Sequence, residues 1–202
     1  VKQAGIVYEG ALNKDRTELS GKFNQGGQVI PITFTRGEQK SAPTAPPKPK
    51  PDYSAPAGAP YTAENVLVKT PAGHTLAGTL TLPNGASASK PVGAIVTISG
   101  SGQQNRDSEL PFGGYRPFRQ LADSLARRGI AVLRMDDRGV GESGGTFKGS
   151  TSADFGEDAR AGLAYLRTRP EIDAKRLGVL GHSEGAVITP MTVPFITARF
   201  GW

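Results

Sequence analysis

The run Gly181-His182-Ser183-Glu184-Gly185, preceded by Leu177-Gly178-Val179-Leu180 and followed by Ala186-Val187-Ile188, is where residue types and spacing point most directly to chemistry. A serine hydroxyl can act as a nucleophile when a sharp strand-to-helix turn lifts it clear of the backbone. Such a turn strains the serine and leaves no room for bulk two residues to either side, and both of those positions are glycine. The chemistry would be attack of the Ser183 hydroxyl on a carbonyl carbon, which needs a base to take its proton. The plainer alternative is a serine that caps a helix; the apolar strand before it and the apolar helix start after it favour the turn. Only two histidines exist. His182 is the sequence neighbour of Ser183 and its side chain leaves the strand end in another direction, so a packed or hydrogen-bonded structural role is expected. His74 follows a turn and is expected at the surface. Residues 192 to 202 contain no His, Asp or Glu.

The elements that must position Ser183 follow from periodicity. Val66-Leu67-Val68 and Leu76 to Leu82 read as a hairpin turning at Pro71-Ala72-Gly73, and Val92 to Ser99 as a buried parallel strand. Phe118, Leu121, Ala122 and Leu125 share one helical face, Gly129 stops that helix, and Ile130 to Leu133 form the next strand. A second helix is expected from about Ala153 to Arg169, acidic in its first turn, basic in its last and ended by Pro170. A third begins after Ser183 and is expected to be interrupted at Pro190 and Pro194. Strand-helix alternation of this kind predicts an α/β fold, a mostly parallel sheet with helices on both faces.

Two further regions precede that domain. Residues 1–36 hold short extended segments with hairpin turns at Asn13-Lys14-Asp15 and Asn24 to Gly27, a small N-terminal β-module too short to bury much core alone. Residues 37–61 are rich in Pro, Ala, Lys and Ser and read as a semi-rigid linker. The remainder, 62–202, is the α/β domain. With 24 Lys and Arg against 18 Asp and Glu the net charge is +6. The basic residues are dispersed, without the aromatic interleaving that stacks bases, so no nucleic-acid partner is expected. No apolar run is long enough to span a bilayer. The absence of cysteine excludes thiolate chemistry and Cys-ligated zinc, and no metal or cofactor is expected.

Three segments in order, G-H-S-E-G at 181–185, Ser99-Gly100-Ser101-Gly102-Gln103-Gln104-Asn105-Arg106-Asp107, and Asp136-Asp137-Arg138-Gly139-Val140-Gly141-Glu142-Ser143, give the chain a resemblance to the α/β-hydrolase superfamily. It is most similar to bacterial exported esterase-like members with an N-terminal β-module, suggested also by Phe23 to Gln28 followed by Pro31. The resemblance implies Ser183 as nucleophile and an oxyanion hole made by the backbone N–H groups of Glu184 and of Ser101. Gly100, Gly102, Arg106 and Asp107 would belong to the active-site loop. Asp136 and Arg138 are expected to hold their loop's backbone and each other. The implied substrate is a small acyl ester and the implied location periplasmic or secreted. A serine exopeptidase on the same fold, or a non-catalytic interaction protein, are the alternatives. In this superfamily the triad acid and histidine follow the serine, so a further segment or a second chain is expected to supply them. The Leu177 to Leu180 strand would otherwise stand as an apolar edge, leaving the isolated chain marginally stable or prone to pair.

Overall fold

The computed structural model describes residues 6–37, 51–110 and 114–197. Most of the proline-rich segment expected over 37–61, and residues 198–202, lie outside them. The chain divides into two compact units, Val1–Pro51 and Asp52–Trp202.

In the first unit, β1 (Ile6–Leu12), β2 (Glu18–Gln25) and β3 (Gln28–Thr35) form an antiparallel meander in the order β1-β2-β3. The Tyr8 hydroxyl ties the strands together, its one proton shared between the carbonyls of Leu19 (3.2 Å) and Ile32 (3.1 Å). Its ring meets Phe34 edge-on at 5.4 Å. No described residue of the meander is fully buried, as three short strands without a covering layer require.

The second unit is a five-stranded sheet in the order β4-β5-β7-β6-β8. Its strands are β4 (Tyr61–Lys69), β5 (Thr75–Pro83), β6 (Val92–Ile98), β7 (Ala131–Met135) and β8 (Ile172–Gly181). The β4–β5 hairpin is antiparallel and β5 also runs antiparallel to β7, whereas β6 pairs parallel with both β7 and β8. The sheet is therefore mixed, the parallel character expected from sequence being confined to β7, β6 and β8.

Helix α1 (Pro117–Ala126) connects β6 to β7 in one direction across the sheet, and α2 (Ser152–Thr168) connects β7 to β8 in the other. Right-handed crossovers of opposite direction place their helices on opposite faces. Proline at the first position opens α1. A reciprocal cap opens α2: Asp154 accepts from the Thr151 N–H at 2.8 Å while the Thr151 hydroxyl oxygen accepts from the Asp154 N–H. Leu80, Val96, Leu133, Leu163 and Leu166 have no exposed surface and form the centre of the core, between the sheet and α2.

Helix α3 runs unbroken from Glu184 to Thr197, through both Pro190 and Pro194. The expected interruption does not occur. Two hydroxyls bond back along the helix, Thr189 donating to the Gly185 carbonyl at 2.8 Å and Thr192 to the Thr189 carbonyl at 2.7 Å, but neither reaches the Ala186 or Pro190 carbonyl that a proline leaves without its donor. Packing against α2 and β8 holds the path, with Ile188 and Thr192 buried on the inner side.

Candidate active site

Strand β8 ends at Gly181 and α3 begins at Glu184, so His182 and Ser183 make the whole connection. Ser183 has a φ of +56°, a left-handed value that costs a residue with a side chain on the order of 1 kcal/mol and persists only where the surroundings enforce it. Here they do. The His182 N–H donates to the Ile98 carbonyl at 3.0 Å, the Gly185 N–H to His182 at 2.9 Å and the Ala186 N–H to Ser183 at 3.0 Å. Contact, not dihedral freedom, dictates the flanking glycines. A Cβ on Gly181 would lie 2.0 Å from the Gly185 carbonyl oxygen, and one on Gly185 would lie 2.3 Å from that of Ile98. Ser183 itself is exposed, and the Glu184 N–H has no acceptor among the described residues. His182 is exposed as well, not packed as expected.

Because Ile98 pairs with Gly181, the loop leaving β6 and the turn leaving β8 depart from adjacent strand ends. Gly100 abuts the serine: a Cβ there would lie 3.1 Å from Ser183 Cβ and 3.4 Å from His182 Nδ1. Ser101 follows, exposed, its carbonyl accepting from Gln104 Nε2 at 3.2 Å, and Gly102 turns the loop with a φ of +90°. The structure thus brings Ser183, Glu184 and Gly100 together, with Ser101 one residue further along. Gly100 is a loop residue in touch with Ser183.

Arg106 and Asp107, expected in the active-site loop, instead turn into buried ion pairs. Arg106 grips Asp136 through Nε (3.1 Å) and Nη2 (2.7 Å), and its backbone N–H donates to the same carboxylate at 2.7 Å. Its Nη1 donates to the Gly78 carbonyl at 2.9 Å. Tyr53 stacks on the guanidinium at 4.1 Å, and burial, with Asp136 adding, pushes its hydroxyl up to about 12. Asp107 pairs with Arg134 of β7. All four charged residues are at most 2% exposed. Two cations and two anions can be buried together because each cancels and hydrogen-bonds another; alone, any of them would carry a heavy desolvation cost.

Asp136 and Arg138 therefore do not hold each other. Arg138 reaches α2, binding Asp158 through Nε (2.7 Å) and Nη2 (2.9 Å). His74 Nε2 stands 3.3 Å from the same carboxylate with its side chain 13% exposed, so His74 is largely buried and not at the surface.

Asp137 was not singled out from sequence. Its carboxylate accepts from the Ser99 hydroxyl at 2.6 Å and from the Gln104 N–H at 2.9 Å, and its own N–H donates to the Gln104 carbonyl at 3.1 Å. Burial pushes its pKa up to about 6, against the lowering effect of these two donors. The run Asp136-Asp137 was visible, but consecutive residues at a strand end leave toward opposite sides, and only the fold reveals which carboxylate meets the loop. Beside Gly100 lies a cavity of about 50 Å³, with Asp137, Glu184, Phe147, Phe155 and Ile188 in its wall. Among the described residues there is no cluster of three or more groups able to hold a metal, and no helix long and apolar enough to cross a membrane.

Comparison with known proteins agrees with this architecture. Residues 114–194 match the family model described as serine aminopeptidase, S33. Over 186 residues the chain is 30% identical to esterase EstD of Thermotoga maritima, covering 91% of this chain and 40% of the relative. The crystal structure of hypothetical protein PA2218 from Pseudomonas aeruginosa superimposes with a TM-score of 0.58 at 26% identity, over 70% of this chain and 41% of the other. The Pyrococcus furiosus esterase Pf2001 has the same fold, with a TM-score of 0.55 at 22% identity over 75% of this chain and 51% of that one. The chain spans about two fifths of the length of the first two. With the sheet order, the strand-turn-helix at Ser183 and these likenesses together, the chain has the α/β-hydrolase fold and is similar to its esterase-like members.

Proposed function

We propose that this chain carries the nucleophile-bearing part of a serine hydrolase that cleaves short-chain carboxylic esters. The observation that carries the reading is Ser183, held exposed at a φ of +56° between β8 and α3 with Gly100 against it. In this reading the Ser183 hydroxyl attacks the ester carbonyl and the alcohol leaves, giving an acyl-serine that water then hydrolyses. The developing oxyanion is met by the Glu184 N–H and by an N–H of the Gly100-Ser101 segment, each such donor being worth about 3 kcal/mol in the transition state. The cavity beside Gly100 takes the acyl chain. Its volume of about 50 Å³ and its Phe147, Phe155 and Ile188 wall suit a short apolar group.

The reading needs a general base. Among the described residues, His74 Nε2 lies 3.3 Å from the Asp158 carboxylate and His182 adjoins the serine in sequence, and in this reading the base and its acid partner are supplied by a further segment or a second chain. The test is hydrolysis of p-nitrophenyl acetate and labelling by a fluorophosphonate. With that base supplied, the wild-type protein should turn over the ester and be labelled at Ser183. The Ser183→Ala protein should do neither, and retained turnover would place the chemistry elsewhere.

A second reading, a serine exopeptidase, is favoured by the description of the family model matched over 114–194. Amino-acid p-nitroanilides distinguish the two, since faster cleavage of these than of the acetate would select the peptidase.

A further inference from the structure

We propose that Asp137 is a positioning residue for the oxyanion hole, clamping both flanks of the loop that faces Ser183; this rests on the hydrolase reading above. The loop residues Gly100, Ser101 and Gly102 have little to fix them. Two are glycines, Ser101 and Gly102 are exposed, and among the described residues the hydrogen bond that reaches them is the 3.2 Å one from the Gln104 side chain to the Ser101 carbonyl. What fixes them lies at their two ends, and both ends meet one side chain. Asp137 Oδ1 accepts from the Ser99 hydroxyl at 2.6 Å on the strand side, and Oδ2 accepts from the Gln104 N–H at 2.9 Å on the far side. The Asp137 N–H closes the third bond, to the Gln104 carbonyl. A carboxylate with one oxygen on each end of a six-residue segment sets the span of that segment, as a staple would. Gly100 lies inside the span and packs on Ser183, so displacement of either end moves the loop N–H groups relative to the serine.

The arrangement is costly to keep for stability alone. Among the described residues Asp137 makes no ion pair, and the charged groups around it are mostly of its own sign. Asp136, on its own loop, is taken by Arg106; Asp158, on α2, is taken by Arg138 and His74; Glu184, on α3, is bound by Ser152. A half-buried carboxylate without a cation beside it, against the two neighbouring acids that act on it, is what a fold discards unless the hydrogen bonds it accepts are needed.

The experiment compares Asp137→Ala, Asp137→Asn, Ser99→Ala and Ser183→Ala in the full chain. It reads kcat and KM for p-nitrophenyl acetate, inhibition by a trifluoromethyl ketone, and melting. The ketone's tetrahedral adduct places its oxyanion where the loop N–H groups point. Asp137→Ala should lower kcat by ~30-fold with KM within ~3-fold, and weaken the ketone in step with kcat. Asp137→Asn can still accept from the Gln104 N–H while donating to the Ser99 oxygen, and should recover most of that loss. Ser99→Ala, which removes one end of the clamp, should fall between, and it decides the matter should the Ala variant at 137 melt below the assay temperature. Wild-type kcat and ketone affinity in both Asp137→Ala and Ser99→Ala overturn the proposal, as does a loss confined to melting or shared equally by kcat and KM with the ketone unmoved. Activity remaining in Ser183→Ala overturns the hydrolase reading itself, whereas an inactive Ser183→Ala beside unaffected Asp137 and Ser99 variants overturns only this inference.

Discussion

Gly185 passes so close to Ile98 that a single added carbon would sit 2.3 Å from the Ile98 carbonyl oxygen and 2.6 Å from that of Ser99. Both obstacles are backbone of the strand that carries the loop, and backbone cannot swing aside as a side chain can. Gly185→Ala should therefore cost more than ~2 kcal/mol of stability and displace Ser183, which chemical denaturation would register. An unchanged midpoint would mean that the turn relaxes freely.

The carboxylate of Glu184 is expected to be dispensable, because its proposed part in catalysis is a backbone N–H. Its side chain accepts from the Ser152 hydroxyl at 2.7 Å and lies at the start of α3. Glu184→Ala should cost at most ~1 kcal/mol of stability, from the lost contact and the helix dipole, and leave kcat within a few-fold of wild type. A loss comparable to that of Ser183→Ala would assign the carboxylate itself to the chemistry.

Burial of Asp137 has a signature in the pH dependence of folding. Its pKa is raised to about 6 from an ordinary 3.8, so the folded protein holds the proton more tightly than the unfolded chain does. The stability contributed by the protonated form is complete below pH ~4 and is lost as pH rises through ~6, by on the order of 3 kcal/mol. Subtracting the unfolding free energy of Asp137→Asn from that of wild type at each pH should reveal a decline between pH 4 and 7. A flat difference would show that the carboxylate is better solvated than its surroundings suggest.

Arg106 should be among the most sensitive positions of the chain. Arg106→Met leaves Asp136 buried without its cation, at a cost of about 3–5 kcal/mol, while the double change with Asp136→Asn should cost less than the two single changes summed. Additive losses in a double-mutant cycle would deny the coupling.

Phe147 stands in the cavity wall with its ring 5.6 Å from that of Phe155. Phe147→Ala should shift the preferred acyl chain of p-nitrophenyl esters from acetate toward longer members of the series. An unaltered chain-length profile would remove the cavity from the acyl site.

The sequence made the framework legible because each element announces itself locally. Apolar runs marked β6, β7 and β8, the glycine pair marked the turn at Ser183, and acidic and basic ends marked α2. What stayed hidden was set by long-range pairing. The antiparallel placement of β5 against β7 depends on where a hairpin docks. The partners of Arg106, Asp107, Arg138 and His74 are chosen across strands and helices, so local reading put the first two in the active site and the last at the surface. Pro190 and Pro194 misled in the other direction: their local penalty is real, but α3 is held by what it packs against, α2 and β8.

One consequence of the sheet order concerns time. The loop at Gly100 and the turn at Ser183 come together only because β6 pairs with β8, strands whose partners lie about eighty positions apart, whereas β4 and β5 close on each other through a short turn. Pairing across so long a stretch of chain pays a larger loop-closure entropy than the hairpin does. The approach of Gly100 to Ser183 is therefore expected late in folding. In pulse-labelled refolding, amide protection across Leu177 to Gly181 should trail that of Leu76 to Leu82, and a ribosome-bound chain that has not yet extruded β8 should hold a folded hairpin with no serine in reach of its loop.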